Sequence, residues 1–144
     1  MVDYPFMMKM SVIFRDLDVL GHVNHVVYLT YMETARTSFF GKIMRLDDFA
    51  QLPLILAEVN CQYVAPAYLG DDIIVGLWVS RFGIKSFDLS YELVGRGKKH
   101  GERTVARAKT VLVSYDYEKG GTAPVPPLFK ERVTQLQSGW VYEG

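Results

Sequence analysis

The run from residue 25 to residue 43 constrains the fold of this chain more than any other stretch. Within it Tyr28, Met32, Ala35, Phe39 and Ile43 recur at steps of three and four residues, the spacing of one face of an α-helix. Val27, Leu29, Tyr31 and Phe40 widen that face, and Thr30, Glu33, Thr37 and Lys42 lie elsewhere around the cylinder. A helix this apolar needs cover on more than one side, from a sheet and from a second subunit. Asn24 stands where an N-cap is expected, and Gly41 weakens the last turns before Asp47 and Asp48 begin a connector.

What surrounds the helix reads as strands. Met8, Met10, Val12 and Phe14 alternate with Lys9, Ser11 and Ile13, which predicts a half-buried strand over residues 6–14. Residues 15–23 have no sustained period and read as a loop. A second strand is predicted over 54–64, followed by turn residues at 65–71. Residues 72–82 are nearly continuous in Ile, Val, Leu and Trp, as in a strand covered on both faces. After a turn at Gly83, Phe87, Leu89, Tyr91 and Leu93 alternate with polar residues. Residues 95–101 read as a hairpin tip, and 102–117 as a long last strand. Pro124, Pro126 and Pro127 lack ladder donors and predict an extended strap. A short helix over 128–136 and a fraying end over 137–144 complete the chain. One strand, one long helix and four further strands predict an α+β fold, an antiparallel sheet of about five strands curled around one central helix. Its 144 residues suit a single domain spanning 1–144.

Composition narrows the function classes. The sequence has 16 basic and 16 acidic residues, and zero formal net charge argues against a nucleic-acid binder. One segment departs from this balance: Arg96, Lys98, Lys99, Arg103, Arg107 and Lys109 face the single acid Glu102, a pattern that suits a small polyanion or a solvated hairpin. With one cysteine, Cys61, there is no intrachain disulfide, Cys-based zinc site or redox pair, and a reducing, cytoplasmic setting is expected. The N-terminus lacks the basic-then-apolar pattern of a secretory signal, and no uncharged run reaches the roughly 18 residues that suggest a membrane span.

The candidate chemistry collects just ahead of the helix, in the string FRDLDVLGHVNHVVYLTYMETAR over residues 14–36. Asp16 and Asp18 precede Gly21, His22, Asn24 and His25, and the helix start offers unpaired N–H groups at the positive end of its dipole. That arrangement suits a carboxylate working beside a developing oxyanion. Asp16, Asp18, His22 and His25 are also oxygen and imidazole donors of the kind that hold metals, although no metal is expected; no serine motif completes a triad and no Gly-rich phosphate loop follows a strand.

The same string resembles the opening of the hotdog-fold acyl-CoA thioesterases, in the branch typified by 4-hydroxybenzoyl-CoA thioesterase. Further resemblances lie at Tyr63-Val64-Ala65-Pro66 with Leu69-Gly70-Asp71-Asp72, at Ile84-Lys85-Ser86-Phe87, and at the exit from Glu118 to Pro126, in the family's order. The resemblance implies a hotdog fold and an acyl-CoA thioesterase that releases a carboxylic acid and CoA. Asp18 matches the catalytic aspartate, base or nucleophile, with the helix N-terminus polarising the carbonyl. His25 falls where related enzymes place a histidine, to orient the carboxylate, assist the leaving thiolate or bind substrate. Gly21 and His22 shape the oxyanion loop and Asn24 caps the helix. Lys85 matches a position associated with CoA contact, and Arg107 is a second candidate for the phosphates. Val26, Tyr28, Met32, Phe39 and Leu56 line an acyl tunnel or are plain core. Another branch uses a glutamate on the long helix; Glu58 falls beyond the helix, and Glu33 is read as structural, paired with Arg36. The family implies a homodimer or homotetramer, with coenzyme A entering only as part of substrate and product and no other cofactor. Its rivals are an acyl carrier protein thioesterase docking an acidic partner at the basic segment, a hydratase or dehydratase on the same fold, and a catalytically silent acyl-CoA-binding domain.

Overall fold

Period-two and period-3.6 patterns become elements at nearly the expected places. The computed structural model describes residues 3–45 and 53–143. Its elements are β1 (Phe6–Ser11), a short 3-10 turn (Phe14–Asp16), α1 (His25–Met44), β2 (Leu54–Tyr63), β3 (Asp72–Phe82), β4 (Ser86–Gly97), β5 (Gly101–Asp116), β6 (Gly121–Thr122) and α2 (Pro127–Leu136). The strands form one antiparallel sheet in the order β1-β3-β4-β5-β2, with β6 paired to β5. The expected connector at Asp47 and Asp48 lies outside the described residues. Among the described residues no helix is long and apolar enough to cross a membrane.

The inner face of the sheet explains the wide apolar helix. Ile73, Val75, Leu77 and Val79 of β3 and Phe87, Leu89, Tyr91 and Leu93 of β4 join Tyr28, Tyr31, Met32, Ala35, Phe39, Phe40 and Ile43 of α1 in one buried core. Each large side chain removed from water there contributes roughly 1.5–3 kcal/mol before entropy is counted. The helix is closed at both ends. Asn24 Oδ1 accepts the Val26 N–H at 3.1 Å, and Arg132 of α2 donates to the Ile43 carbonyl at 2.8 Å, a cation at the negative end of the dipole. Pro127 opens α2 at its first turn, where a missing N–H costs nothing.

Three expectations need correction. The first strand stops at Ser11, not Phe14: the Asp16 carboxylate accepts the Ile13 N–H at 3.0 Å and curls the chain, leaving Phe14 80% exposed. The hairpin tip is narrower than 95–101, because β4 and β5 stay paired out to Gly97 and Gly101. Residues 137–142 do not fray, and Gly144 lies outside the described residues. Gln137 accepts from the Val79 N–H at 2.7 Å and donates to the Val79 carbonyl at 3.0 Å, filling the ladder where β3 bulges between Val79 and Arg81. Beyond it Trp140 and Tyr142 lie on the outer face of the sheet. Tyr142 stacks on Trp78 at 4.6 Å and donates to Glu92 at 2.7 Å, and Trp140 donates to the Asp3 carbonyl at 2.7 Å. Tyr4 also stacks on Trp78, at 5.7 Å, its ring over Gly76, where any side chain would collide with it. This cover is why β3 reads as apolar on both faces.

Candidate active site

The loop between β1 and α1 is a small closed ring of backbone hydrogen bonds. Leu17 and Val23 form an antiparallel bridge, Asp18 N–H donates to the His22 carbonyl at 3.0 Å, and Gly21 N–H donates to the Asp18 carbonyl at 3.1 Å. Gly21 takes φ +85°, the left-handed conformation that closes so tight a turn. Val23 N–H reaches the Ala67 carbonyl at 2.8 Å, pinning the loop to the segment between β2 and β3. The Leu20 N–H donates to Asp18 Oδ1 at 2.8 Å and holds the carboxylate in place.

A helix start leaves four N–H groups without helical acceptors, and here their fates can be followed one by one. Asn24 N–H goes to the Asp16 carbonyl at 2.9 Å, Val26 N–H to Asn24 Oδ1, and Val27 N–H to the Asn24 carbonyl at 2.9 Å. The fourth, on His25, has no acceptor among the described residues. Asn24 is therefore the cap, as expected, and the free donor belongs to the residue after it.

Asp18, His22 and His25 line one open cleft of about 360 Å³, with Leu20, Val23 and Tyr28 and the segment Tyr63, Val64, Ala65 and Pro66. Tyr63, which the sequence places at the end of the second strand and gives no role at the site, is a wall of this cleft. Its hydroxyl donates to the His25 carbonyl at 3.0 Å, and its ring meets the His25 and Tyr28 rings edge-on at 6.0 and 5.4 Å. Only its place at the end of β2 hinted at this. Burial pushes the Tyr28 hydroxyl pKa above its usual value, and it is also raised at Tyr63 for the same reason. Both phenols stay neutral donors at the cleft wall.

The other candidates separate. Asp16 does not line the cleft: it accepts from the Tyr31 hydroxyl at 2.7 Å as well as from Ile13, and is structural. Glu33 sits 3.9 Å from Arg36, as read from sequence, with its side chain 71% exposed. Glu58 lies in β2, away from the helix, after a bulge. Met32 and Phe39 are core, whereas Val26 and Leu56 are exposed. Among the described residues no three His, Cys, Asp or Glu side chains gather as a metal cluster.

Lys85 and Arg107 are not brought to the cleft within the chain. Lys85 precedes β4, and Tyr63 aligns through Ala106 with Leu93, eight residues on, or about 26 Å along the strand. Arg107 alternates with core-facing Ala106 and Ala108, so it points to the outer face, 3.4 Å from Glu92 and beside Tyr142. The basic segment as a whole is largely neutralised. Arg96 pairs with Glu102 at 2.9 Å, Arg103 with Asp71 at 2.6 Å, and Lys109 approaches Asp88 at 4.0 Å.

Comparison with known proteins agrees with this architecture. The thioesterase-like superfamily model matches residues 12–133. The uncharacterized protein YsmA of Bacillus subtilis is 28% identical over 88 residues, which is 61% of this chain but only 60% of that protein's length. A 1,4-dihydroxy-2-naphthoyl-CoA hydrolase of Synechocystis sp. is 27% identical over 112 residues, 78% of this chain and 76% of that one. Among solved structures, a Thermus thermophilus thioesterase complexed with coenzyme A and Zn superposes with a TM-score of 0.84 at 32% identity, covering 98% of this chain and 100% of that one. The 4-hydroxybenzoyl CoA thioesterase of Pseudomonas sp. strain CBS-3 shares the fold, with a TM-score of 0.78 at 21% identity over 88% of this chain and 96% of that one. With the order of elements, the sheet-wrapped helix and the Asp18 loop in place, this chain belongs to the thioesterase-like superfamily.

Proposed function

We propose that the protein is an acyl-CoA thioesterase, hydrolysing a thioester to a carboxylic acid and CoA. The observation that carries this reading is the cleft at the start of α1, where the Asp18 carboxylate, held by Leu20 N–H, stands with the one helix-start donor left free, the His25 N–H. The thioester carbonyl oxygen accepts from that N–H, and the negative charge that develops on it is met by the helix dipole. Asp18 either takes a proton from water as the water attacks the carbonyl carbon, or attacks directly to give an acid anhydride that water then opens. In both routes the C–S bond breaks, the thiolate leaves with the electron pair and is protonated to the thiol. His25, whose ring lines the cleft against Tyr63, supplies or orients that proton. Neither route uses a metal or redox cofactor.

Two of the similar proteins are named for aromatic acyl-CoA esters, and the Tyr28 and Tyr63 rings at the cleft suit such a group. The test is steady-state hydrolysis of a panel of aromatic and aliphatic acyl-CoAs by wild type and Asp18→Asn. The variant is expected to lose about 10²–10⁴-fold in kcat. Full activity in Asp18→Asn defeats the role given to Asp18, and cleavage of no thioester defeats the thioesterase reading and leaves a binding domain.

The molecule works as a dimer through β2 in this proposal. β2 ends the sheet, and Ile55, Leu56, Val59 and Tyr63 on it are between 37% and 47% exposed, an apolar edge that needs a partner. Antiparallel pairing with a second β2 sets the Leu54 end of one strand beside the Tyr63 end of the other. Lys85 of the partner subunit then arrives three strand spacings away, roughly 14 Å from the Tyr63 wall. The family position that is remote within one chain becomes a neighbour of the thioester cleft between two.

A further inference from the structure

Arg36, on α1, is a buried cation that no buried acid matches. The residue is 9% exposed, and its one hydrogen bond is long, from Nη1 to the Tyr91 hydroxyl at 3.4 Å. Its one ion-pair partner, Glu33, stands 3.9 Å away with a side chain 71% exposed, so water screens the pair. A guanidinium carries five N–H donors, and no further acceptor for them occurs among the described residues. A charge taken out of water with so little return destabilises the fold by itself. A ligand that completes its hydrogen bonds recovers the loss.

Two contacts fix where Arg36 stands relative to the thioester cleft. At the start of α1 the Tyr63 hydroxyl donates to the His25 carbonyl, setting the end of β2 beside the first turn. Eleven residues on, after almost a whole number of turns, Arg36 returns to the stripe of His25. There it meets Tyr91, whose hydroxyl shares a hydrogen bond with Thr110 at 2.7 Å, and Thr110 pairs with Val59 of β2. Tyr63, Cys61 and Val59 pair in register with Ala106, Ala108 and Thr110, so all six side chains share the inner face of the sheet. Yet Tyr63 and Val59 are 47% and 41% exposed and Cys61 is only half-buried. The helix leaves this part of the inner face uncovered, and an open groove runs along it from His25 to Arg36.

We propose that this groove takes the acyl group and that Arg36 selects one with a carboxylate at its far end. The proposal rests on the thioesterase reading and names the class of acid released, a dicarboxylic acid cleaved from its monothioester. Helical rise puts the Arg36 backbone about 16 Å from that of His25, and a helical side chain leans back towards the helix start, so the guanidinium lies roughly 10 Å from the His25 N–H. With the thioester carbonyl on that N–H, a carboxylate at the end of a chain of roughly eight carbons reaches the guanidinium. Its two oxygens take the free donors in the forked geometry that arginine offers. Between these polar ends Leu29 and Cys61 are apolar and half-buried, a lining that suits carbon.

The experiment compares hexanedioyl-, octanedioyl- and decanedioyl-CoA with hexanoyl-, octanoyl- and decanoyl-CoA, pairs that differ only at the far end, in wild type, Arg36→Lys and Arg36→Gln. Wild type is expected to favour the carboxylate-ended member of the best pair by about tenfold to hundredfold in kcat/KM, the worth of one charged hydrogen bond, with the gain in KM. Arg36→Gln is expected to bring that ratio to about one, and Arg36→Lys, charged but without the fork, to keep part of it. Because a buried arginine can also be needed for folding, the wild-type ratio is a test without any variant: equal kcat/KM within all three pairs overturns the proposal. So does a preference that Arg36→Gln retains. Loss of the dimer in Arg36→Gln, with no preference in wild type, assigns the cation to an interface instead. Should no thioester be cleaved, the thioesterase reading fails by itself and the same acyl-CoAs serve as calorimetric ligands. The carboxylate-ended one is then expected to bind wild type about tenfold more tightly than its partner, and equal affinities overturn the role given to Arg36.

Discussion

Asp71, 4% exposed, keeps its charge inside the fold. Burial pushes its carboxyl pKa up, but the Arg103 hydrogen bond, the Tyr68 N–H and the Arg103 charge outweigh burial and hold it below the ordinary 3.8. A depressed folded-state value means that the pair's stabilisation is present above pH 3.8 and is lost as pH falls through the folded value. Arg103→Ala strands the carboxylate in a buried place and is expected to cost about 3 kcal/mol, the low end for a broken buried pair because the Arg103 side chain is 19% exposed. Chemical denaturation at pH 7 reads that loss, and an acid titration of the variant is expected to unfold at higher pH than wild type. The nearby residue that sequence most clearly advertises, Asp18, stands out by its spacing to the helix. The basic segment could be named in advance but not which of its cations face acids, because that depends on partners 6 to 32 residues away or across the sheet.

Among the elements, α1 was legible nearly to its ends and the C-terminal segment was not. The helix follows from a local period and a local cap, which any window of the sequence contains. Residues 137–143 have no period, and what orders them is a surface supplied from elsewhere: Val79's bulged backbone, Trp78, Tyr4 and Glu92. Glu92 collects hydrogen bonds from Tyr142, Tyr4 and Thr104, and these with Arg107 outweigh its burial and lower its pKa. Truncation after Gln137 removes Trp140 and Tyr142 and uncovers Trp78, which is 7% exposed in the intact chain. The expected result is a red shift in the fluorescence of the single remaining tryptophan and a drop of roughly 5–10 °C in Tm, corresponding to about 2 kcal/mol. Unchanged emission and Tm would mean that the tail does not latch onto the sheet.

At the scale of the whole molecule the proposed dimer rests on β2, which ends the sheet among the described residues. Val59→Lys places a charge in the middle of that edge, the device by which natural sheets block pairing. Wild type is expected to be a dimer by light scattering and the variant a monomer. If the proposed dimer carries the activity, the variant is also expected to lose thioesterase activity, because in that dimer it is the partner's Lys85 that approaches the cleft. A dimeric, fully active Val59→Lys protein would move the interface elsewhere. The chain by itself determined the element order, the sheet-wrapped helix and the loop with its candidate carboxylate, because each of these is written in periods, caps and spacings of a few residues. Only the tertiary structure decided that Asp16 is a strut, that Arg107 faces the outer side of the sheet, that Lys85 stands far from Asp18 within one chain, and which cations of the basic segment face acids among the described residues. Those facts turn on which strand lies beside which and on the face a side chain takes, and pairing between distant segments leaves no local period to read.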